Sequence, residues 1–352
     1  MELWAAGTRC PWPHPWEVAE VSRSLVRWLQ PLAGAAVLGV LVWRLGAGPF
    51  LAGITAVDAR VLAASAVVLF LATVCSAWRW QLVARGLGLE LTLKSAVAAS
   101  YRAQFLNSTL PGGILGDVHR GLAHGRAGGD AGLGLRAVAW ERAAGQLVQG
   151  VLALALLAAL LSPVRTAVAL PAVVLLGAAA VVLAALRLRT ADGPSWWARI
   201  LRTAAADVRR GLLPRHTWPG VVTASFLAVA GYVAVFLMAA RSAGSTAPLR
   251  QLLPLAVLVL MAMAVPASIA GWGPREGAAA WAFSAAGLGA AQGVSAAVVY
   301  GVLSLVSCLP GALVLVAGAR AGARAGVGAA GAAGRQAVEA ERPAGRLGGG
   351  LG

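Results

Sequence analysis

The sequence predicts an all-α fold, a polytopic integral membrane helix bundle, and three observations predict it. The chain has 352 residues, of which 59% are hydrophobic and only 12% charged, about half the charged fraction of ~25% usual in soluble domains. Its mean hydropathy is +0.77. The apolar residues fall in continuous Ala, Leu and Val runs, not in the alternating segments of about ten residues that build a β-barrel. The charges lie mostly between those runs. The net charge is +16, with Lys94 the only lysine, so arginine supplies the excess. Basic flanks between apolar runs follow the positive-inside rule and attract anionic lipid headgroups. No basic helix with an aromatic platform accompanies them, so nucleic acid is not expected as a partner. The wealth of Ala, Arg and Gly suggests a GC-rich bacterial genome. Cys10, Cys75 and Cys308 are too scattered for a disulfide framework or a zinc site and read as packing residues.

In chain order, residues 1–24 mix Trp, Pro, Glu and Arg with no secretory signal pattern and are expected in the cytoplasm. The first span covers Pro31–Leu45, extended back towards Leu25 to reach the ~20 residues a crossing needs. Trp28 and Trp43 anchor it and Arg44 snorkels. Arg60–Trp78 is the second span, closing in the interfacial belt Trp78-Arg79-Trp80. Gln81–Lys94 then lies on the cytoplasmic side.

The next apolar segment breaks at Leu110-Pro111-Gly112-Gly113. Proline removes a backbone donor and glycine loosens the helix. Freed backbone groups at membrane depth must be buried in protein or line a wet cavity. Both flanks, Lys94 and His119–Arg136, are basic, which favours a hairpin that dips in and returns to the same side. This stretch is therefore expected to be re-entrant. Ala137–Leu161 and Thr166–Leu186 read as full spans. The basic segment Arg187–Arg215 reads either as an interfacial helix or as a solvated loop. Trp218–Ala240 crosses. Pro248–Ala270 is interrupted by Pro254 and Pro266 and then by Gly271-Trp272-Gly273-Pro274, a second re-entrant candidate continued by Gly277–Leu288. Gly293–Ala317 is the last span. The sum is about six crossings of the cytoplasmic membrane and two hairpins over residues 25–318, with a disordered cytoplasmic tail over 319–352 and both termini expected on the cytoplasmic side. Each half carries a Pro/Gly break and an acid–arginine dyad, a rough echo of inverted-repeat transporters.

Charged groups in apolar segments are costly and mark function. Here they are Arg102, Asp117, Arg120, Glu141, Arg142, Arg275 and Glu276, with Asn107, Pro111, Gly112, Gly113, Gly271 and Gly273 beside them. Glu141 is placed in the first turn of its span, where the helix dipole suits a carboxylate. It reaches either an arginine of the first hairpin or headgroup water. Arg142 points about 100° away from it. The Gly-Trp-Gly-Pro-Arg-Glu run either caps a helix or offers amides and the Arg275 fork to a phosphate. Asp117, His119 and His124 make too loose a set for a metal, and no cofactor motif or ATP loop is present.

Leu110-Pro111-Gly112-Gly113, Gly116-Asp117 and Arg120, then Glu141-Arg142, then Pro266 with Gly271, Gly273 and Arg275-Glu276 resemble, in this order, the lysylphosphatidylglycerol synthase transmembrane region, the flippase-like integral membrane family. The resemblance implies a helical bundle with re-entrant elements around a lipid cavity. The soluble aminoacyl-transferase domain of the full-length synthases has no counterpart in the sequence, so lipid aminoacylation by this polypeptide is not expected. The expected function is translocation of a phospholipid or lipid-linked headgroup, with no catalytic residues. The alternatives are a membrane transferase using Asp117 or Glu141 as base, and a lipid-presenting subunit of a separate transferase.

Overall fold

The structure, a computed structural model, describes residues 36–110, 113–159, 196–263, 272–318 and 320. The expected N-terminal segment, the start of the first span, the span Thr166–Leu186, Pro266 and nearly all of the tail lie outside them. Every regular element among the described residues is a helix.

The first span does not end the story at Leu45. Helix α1 (Ala36–Leu45) is followed, across a bend of 98°, by a short α2 (Gly48–Thr55). Pro49 suits the first turn of α2, where a missing N–H leaves nothing unpaired. α3 (Ala59–Gly86) overruns its expected end at Trp78 by two turns. Trp80 is 1% and Arg79 8% exposed, so these two side chains of the expected belt are buried within the helix bundle while Trp78 is half-buried. A charge ends an apolar run on a hydropathy plot, but a paired charge does not end a helix.

α4 (Leu93–Thr109) and α5 (Leu115–Ala127) flank the expected break. The basic stretch after Asp117 is thus largely helix. α6 (Ala131–Ala159) begins six residues before its expected start, and the Asp130 carboxylate accepts from the Leu133 amide at 2.9 Å, as an N-terminal cap does. α7 (Trp196–Gly211) makes most of the described part of the basic segment helical. Its Asp207, 6% exposed, accepts from Arg136 Nε at 2.9 Å and Trp140 Nε1 at 3.1 Å, which docks α7 on α6. α8 (Trp218–Ser242), α9 (Leu249–Ala262), α10 (Pro274–Ala285) and α11 (Ala290–Cys308) follow. Pro254 lies inside α9 without ending it. α3, α8 and the stretch Ala290–Gly318 each have a mean hydropathy of 2.2 and the length to cross a membrane. With α1 and α2 counted as one bent span the described residues hold four.

The frame is the α3–α8 pair. A Cβ on Gly220 would press on Leu82 and one on Gly231 on Ala72, so the two helices lie tightly side by side and antiparallel. Two helical hairpins are built on this frame. In the first, α4 and α5 run antiparallel, and their contact is close because Gly116 has no side chain. A Cβ there would stand 2.7 Å from the Ala103 Cα, well inside contact distance. The ends of this hairpin come back together where Leu89 meets Gly128. In the second, α9 and α10 are antiparallel, and Gln251 Nε2 donates to the Ala286 carbonyl at 2.9 Å across their open ends.

The two hairpins point in opposite directions. The first is rooted at the C-terminal end of α3, which also meets Gly211 and Gly220. The second is rooted at the C-terminal end of α8, where Gln292 Nε2 donates to the Ala243 carbonyl at 2.7 Å. In an antiparallel pair those are opposite ends. The rings of Phe236, Phe283 and Tyr300 pack together beside the second hairpin, within the main apolar core.

Candidate functional site

Where the hairpins converge there is a cavity of about 300 Å³, lined from both of them and from α3, α6, α8 and α11. Its charged wall is built from four elements. Glu141 on α6 is 2% exposed. Arg79 Nε on α3 donates to its Oε1 at 2.9 Å, with Nη2 adding a second bond to the same oxygen. Arg120 Nη2 on α5 donates to its Oε2 at 2.7 Å. Arg120 Nε also donates to Asp117 Oδ1 at 2.9 Å, and its guanidinium lies over the Trp80 ring, 4.7 Å from the centroid. Asp117 Oδ2 accepts from Asn107 Nδ2 at 2.9 Å and from Arg142. Asn107 Oδ1 in turn accepts from the Gly116 amide at 2.7 Å, so one side chain bonds both the backbone and the carboxylate at the start of α5.

The result is a chain of ion pairs, Arg79–Glu141–Arg120–Asp117–Arg142. Buried charges survive only when paired and hydrogen-bonded, and the inner members obey that rule. The chain is open at one end: the Arg142 side chain is 50% exposed and lines the cavity.

The second charged element is local. Glu276 is fully buried. Its Oε2 accepts from the Gly273 amide at 2.7 Å and its Oε1 from Arg275 Nε at 2.9 Å and Nη2 at 2.5 Å. The Arg275 guanidinium sits between two rings, 4.9 Å from Trp272 and 5.5 Å from Tyr300. Space for it comes from Gly301, since a Cβ there would collide with the guanidinium. Arg275 lines the cavity; Glu276 stands behind it and does not.

Residues 27–311 match the family of the lysylphosphatidylglycerol synthase TM region. The chain belongs to that family. No curated protein and no solved structure matches it. The family and the apolar spans together make this a membrane protein with a lipid-related role.

Among the site residues expected from the sequence, this family member brings Asn107, Gly113, Asp117, Arg120, Glu141, Arg142 and Arg275 to one cavity. Gly273 and Glu276 lie directly behind it. Pro111, Gly112 and Gly271 lie outside the described residues. Arg102 is not on the cavity wall; its Nε is buried with no hydrogen-bond partner among the described residues.

The role given to Glu141 needs correcting in one respect. It sits ten residues inside α6, so the dipole of the helix N-terminus, which fades within a turn, does not hold it. Arginines do, and one of them is the hairpin arginine Arg120. The member of the network missed in the sequence is Arg79. The available signal was an arginine flanked by tryptophans inside a helix-length apolar run. Among the described residues no group of three or more His, Cys, Asp or Glu side chains is arranged to hold a metal ion.

Proposed function

We propose that this protein translocates a phospholipid or lipid-linked headgroup across the bacterial cell membrane. Both hairpins are re-entrant in this reading, entering from opposite leaflets, with six full crossings around them and both termini in the cytoplasm. The headgroup enters the polar cavity while the acyl chains stay in the bilayer. The observation that carries the reading is that hairpins rooted at opposite ends of the α3–α8 frame both bring arginine to one cavity.

Three physical points support it. First, four arginines line the cavity against two carboxylates, an excess suited to a phosphate, which the planar guanidinium binds in a fork. Second, the arginines stand at different depths. Ser76, one turn from Arg79, meets the Tyr232 hydroxyl at 3.4 Å. One turn further along α8, Phe236 packs 5.8 Å from Tyr300, the ring beside Arg275. A phosphate leaving Arg142 therefore has a second cation ahead of it, near the other hairpin. Third, about 300 Å³ is at the small end of ligand cavities, enough for a headgroup but not for two acyl chains. Exposed Leu110, Ile114 and Met263 beside the hairpin breaks offer those chains an apolar edge.

No nucleotide-binding loop is present in the sequence, so movement runs downhill or is coupled to an ion gradient. The test is translocation of fluorescent lipid in proteoliposomes, comparing wild type with Arg275→Ala and Glu276→Gln. Wild type is expected to exceed empty vesicles and both variants to fall towards them. Rates equal to empty vesicles for the wild type would end the proposal.

A further inference from the structure

We infer that α7 is a docking element for an anionic lipid surface. Its first half rests at the headgroup–acyl boundary of the leaflet on the side where the first hairpin is rooted, with its arginines among negatively charged headgroups.

The helix is anchored by one half only. At its C-terminal end two backbones meet, since a Cβ on Gly86 would stand 2.8 Å from the Gly211 Cα. One turn earlier Asp207 holds Arg136 and Trp140 of α6, and Val208 beside it is buried. Beyond this anchor, from Arg199 to Thr203, every residue is exposed. Yet the two-sided pattern continues there. Ile200 precedes Gly211 by eleven residues and Leu201 precedes Val208 by seven, spacings that return to the same side of a helix. The side that packs on the bundle thus runs on as an apolar stripe, where Ile200 is 50% and Leu201 44% exposed. Arg199 and Arg210, also eleven apart and both exposed, mark the other side.

Three features point to an anionic leaflet as what covers this stripe. First, α7 joins the C-terminal end of one apolar span, α3, and leads into the start of another, α8, so its anchor stands where the spans leave the bilayer. Second, exposed Leu213 and Trp218 carry apolar surface onward at that end, and tryptophan is enriched at headgroup level. Third, exposed Arg85, Lys94, Arg126 and Arg215 surround the anchor. At the opposite end Arg60, Arg241 and Arg250 stand with Asp58, and Arg241 Nη1 is engaged by the Ser245 carbonyl at 2.7 Å. An apolar stripe backed by arginine gains from acyl contact and from anionic headgroups together. An acidic protein meeting only the arginines leaves Ile200 and Leu201 in water.

The test places an environment-sensitive fluorophore on α7 of the full chain through Leu201→Cys or, as a second position, Ile200→Cys. Thr203→Cys reports on the arginine side. Each chain also carries Cys10→Ser, Cys75→Ala and Cys308→Ala. Phosphatidylcholine vesicles contain, as quencher, a small share of phosphatidylserine or phosphatidylcholine with a nitroxide on the upper acyl chain. The labels at Leu201 and Ile200 are expected to be quenched, and the label at Thr203 much less. Quenching by phosphatidylserine is expected to be about fivefold stronger than by phosphatidylcholine, the factor one arginine at such a surface supplies. Arg199→Gln combined with Arg210→Gln is expected to bring the two lipids close to level.

Labels at Leu201 and Ile200 quenched by neither lipid would mean that protein or water covers the stripe. A Thr203 label quenched as strongly as theirs would mean that no side is selected. Equal quenching by the two lipids in the otherwise unchanged chain would remove the charge preference. Each of these outcomes overturns the inference. Lipid translocation is not read in this assay and stands or falls apart from it.

Discussion

The two charged elements of the cavity solve the same problem in different ways. On the first hairpin side, five ionic side chains from α3, α5 and α6 complete one another, and none of the buried members is satisfied by its neighbours in sequence alone. On the second, Arg275 and Glu276 are consecutive residues, completed by one backbone amide and two rings. The first is a tertiary assembly with a half-exposed arginine at its end. The second is a local motif packed to near-complete burial. The difference teaches that the network at the first hairpin ties distant helices together, whereas its open end, Arg142, is paired on one side and exposed to the cavity on the other.

That contrast is open to direct attack, beginning with its centre. Glu141→Gln leaves Arg79 and Arg120 buried with no opposite charge between them. Removing one partner of a buried pair costs about 3–5 kcal/mol, so thermal unfolding in detergent should show the largest loss of the set. A melting temperature close to wild type would mean that the network is ornamental.

Glu276→Gln comes next. The amide keeps one acceptor oxygen where Glu276 uses two, Oε2 for the Gly273 amide and Oε1 for Arg275, so one of those bonds is lost with the charge, about 1–3 kcal/mol. Should it destabilise more than Glu141→Gln, the ordering of the two elements is reversed.

Arg142→Ala gives the smallest effect on stability, under about 1 kcal/mol, because a half-exposed pair contributes little. Its effect belongs to the proposed transport, where a several-fold fall in labelled-lipid movement is expected. A variant that melts well below wild type yet moves lipid at the wild-type rate would place Arg142 in the scaffold instead of the path.

How much of this was legible follows from how far each partner lies along the chain. The break at Leu110 was readable because Pro111, Gly112 and Gly113 act on their own backbone. The Arg275–Glu276 dyad was readable for the same reason. Arg79 was not: its partner Glu141 is 62 residues away, and a hydropathy run registers it only as a boundary. The early start of α6 was missed because Arg136 and Glu141 looked like flanks, when Asp207 and the arginines in fact pair them inside the helix. Arg102, chosen by the same rule as the others, sits off the cavity, since helical position alone does not say which face a neighbour will cover.

What the sequence by itself determined is the solvent and the punctuation. Apolar runs demand a membrane and helices within it, because backbone groups in lipid must be bonded internally, and Pro and Gly dictate where those helices stop. Which charges meet was decided by the packing of α3 against α8 and of the two hairpins against that frame. Ion pairs between distant elements have no local signature, and a buried guanidinium takes whichever carboxylate the tertiary structure brings within reach.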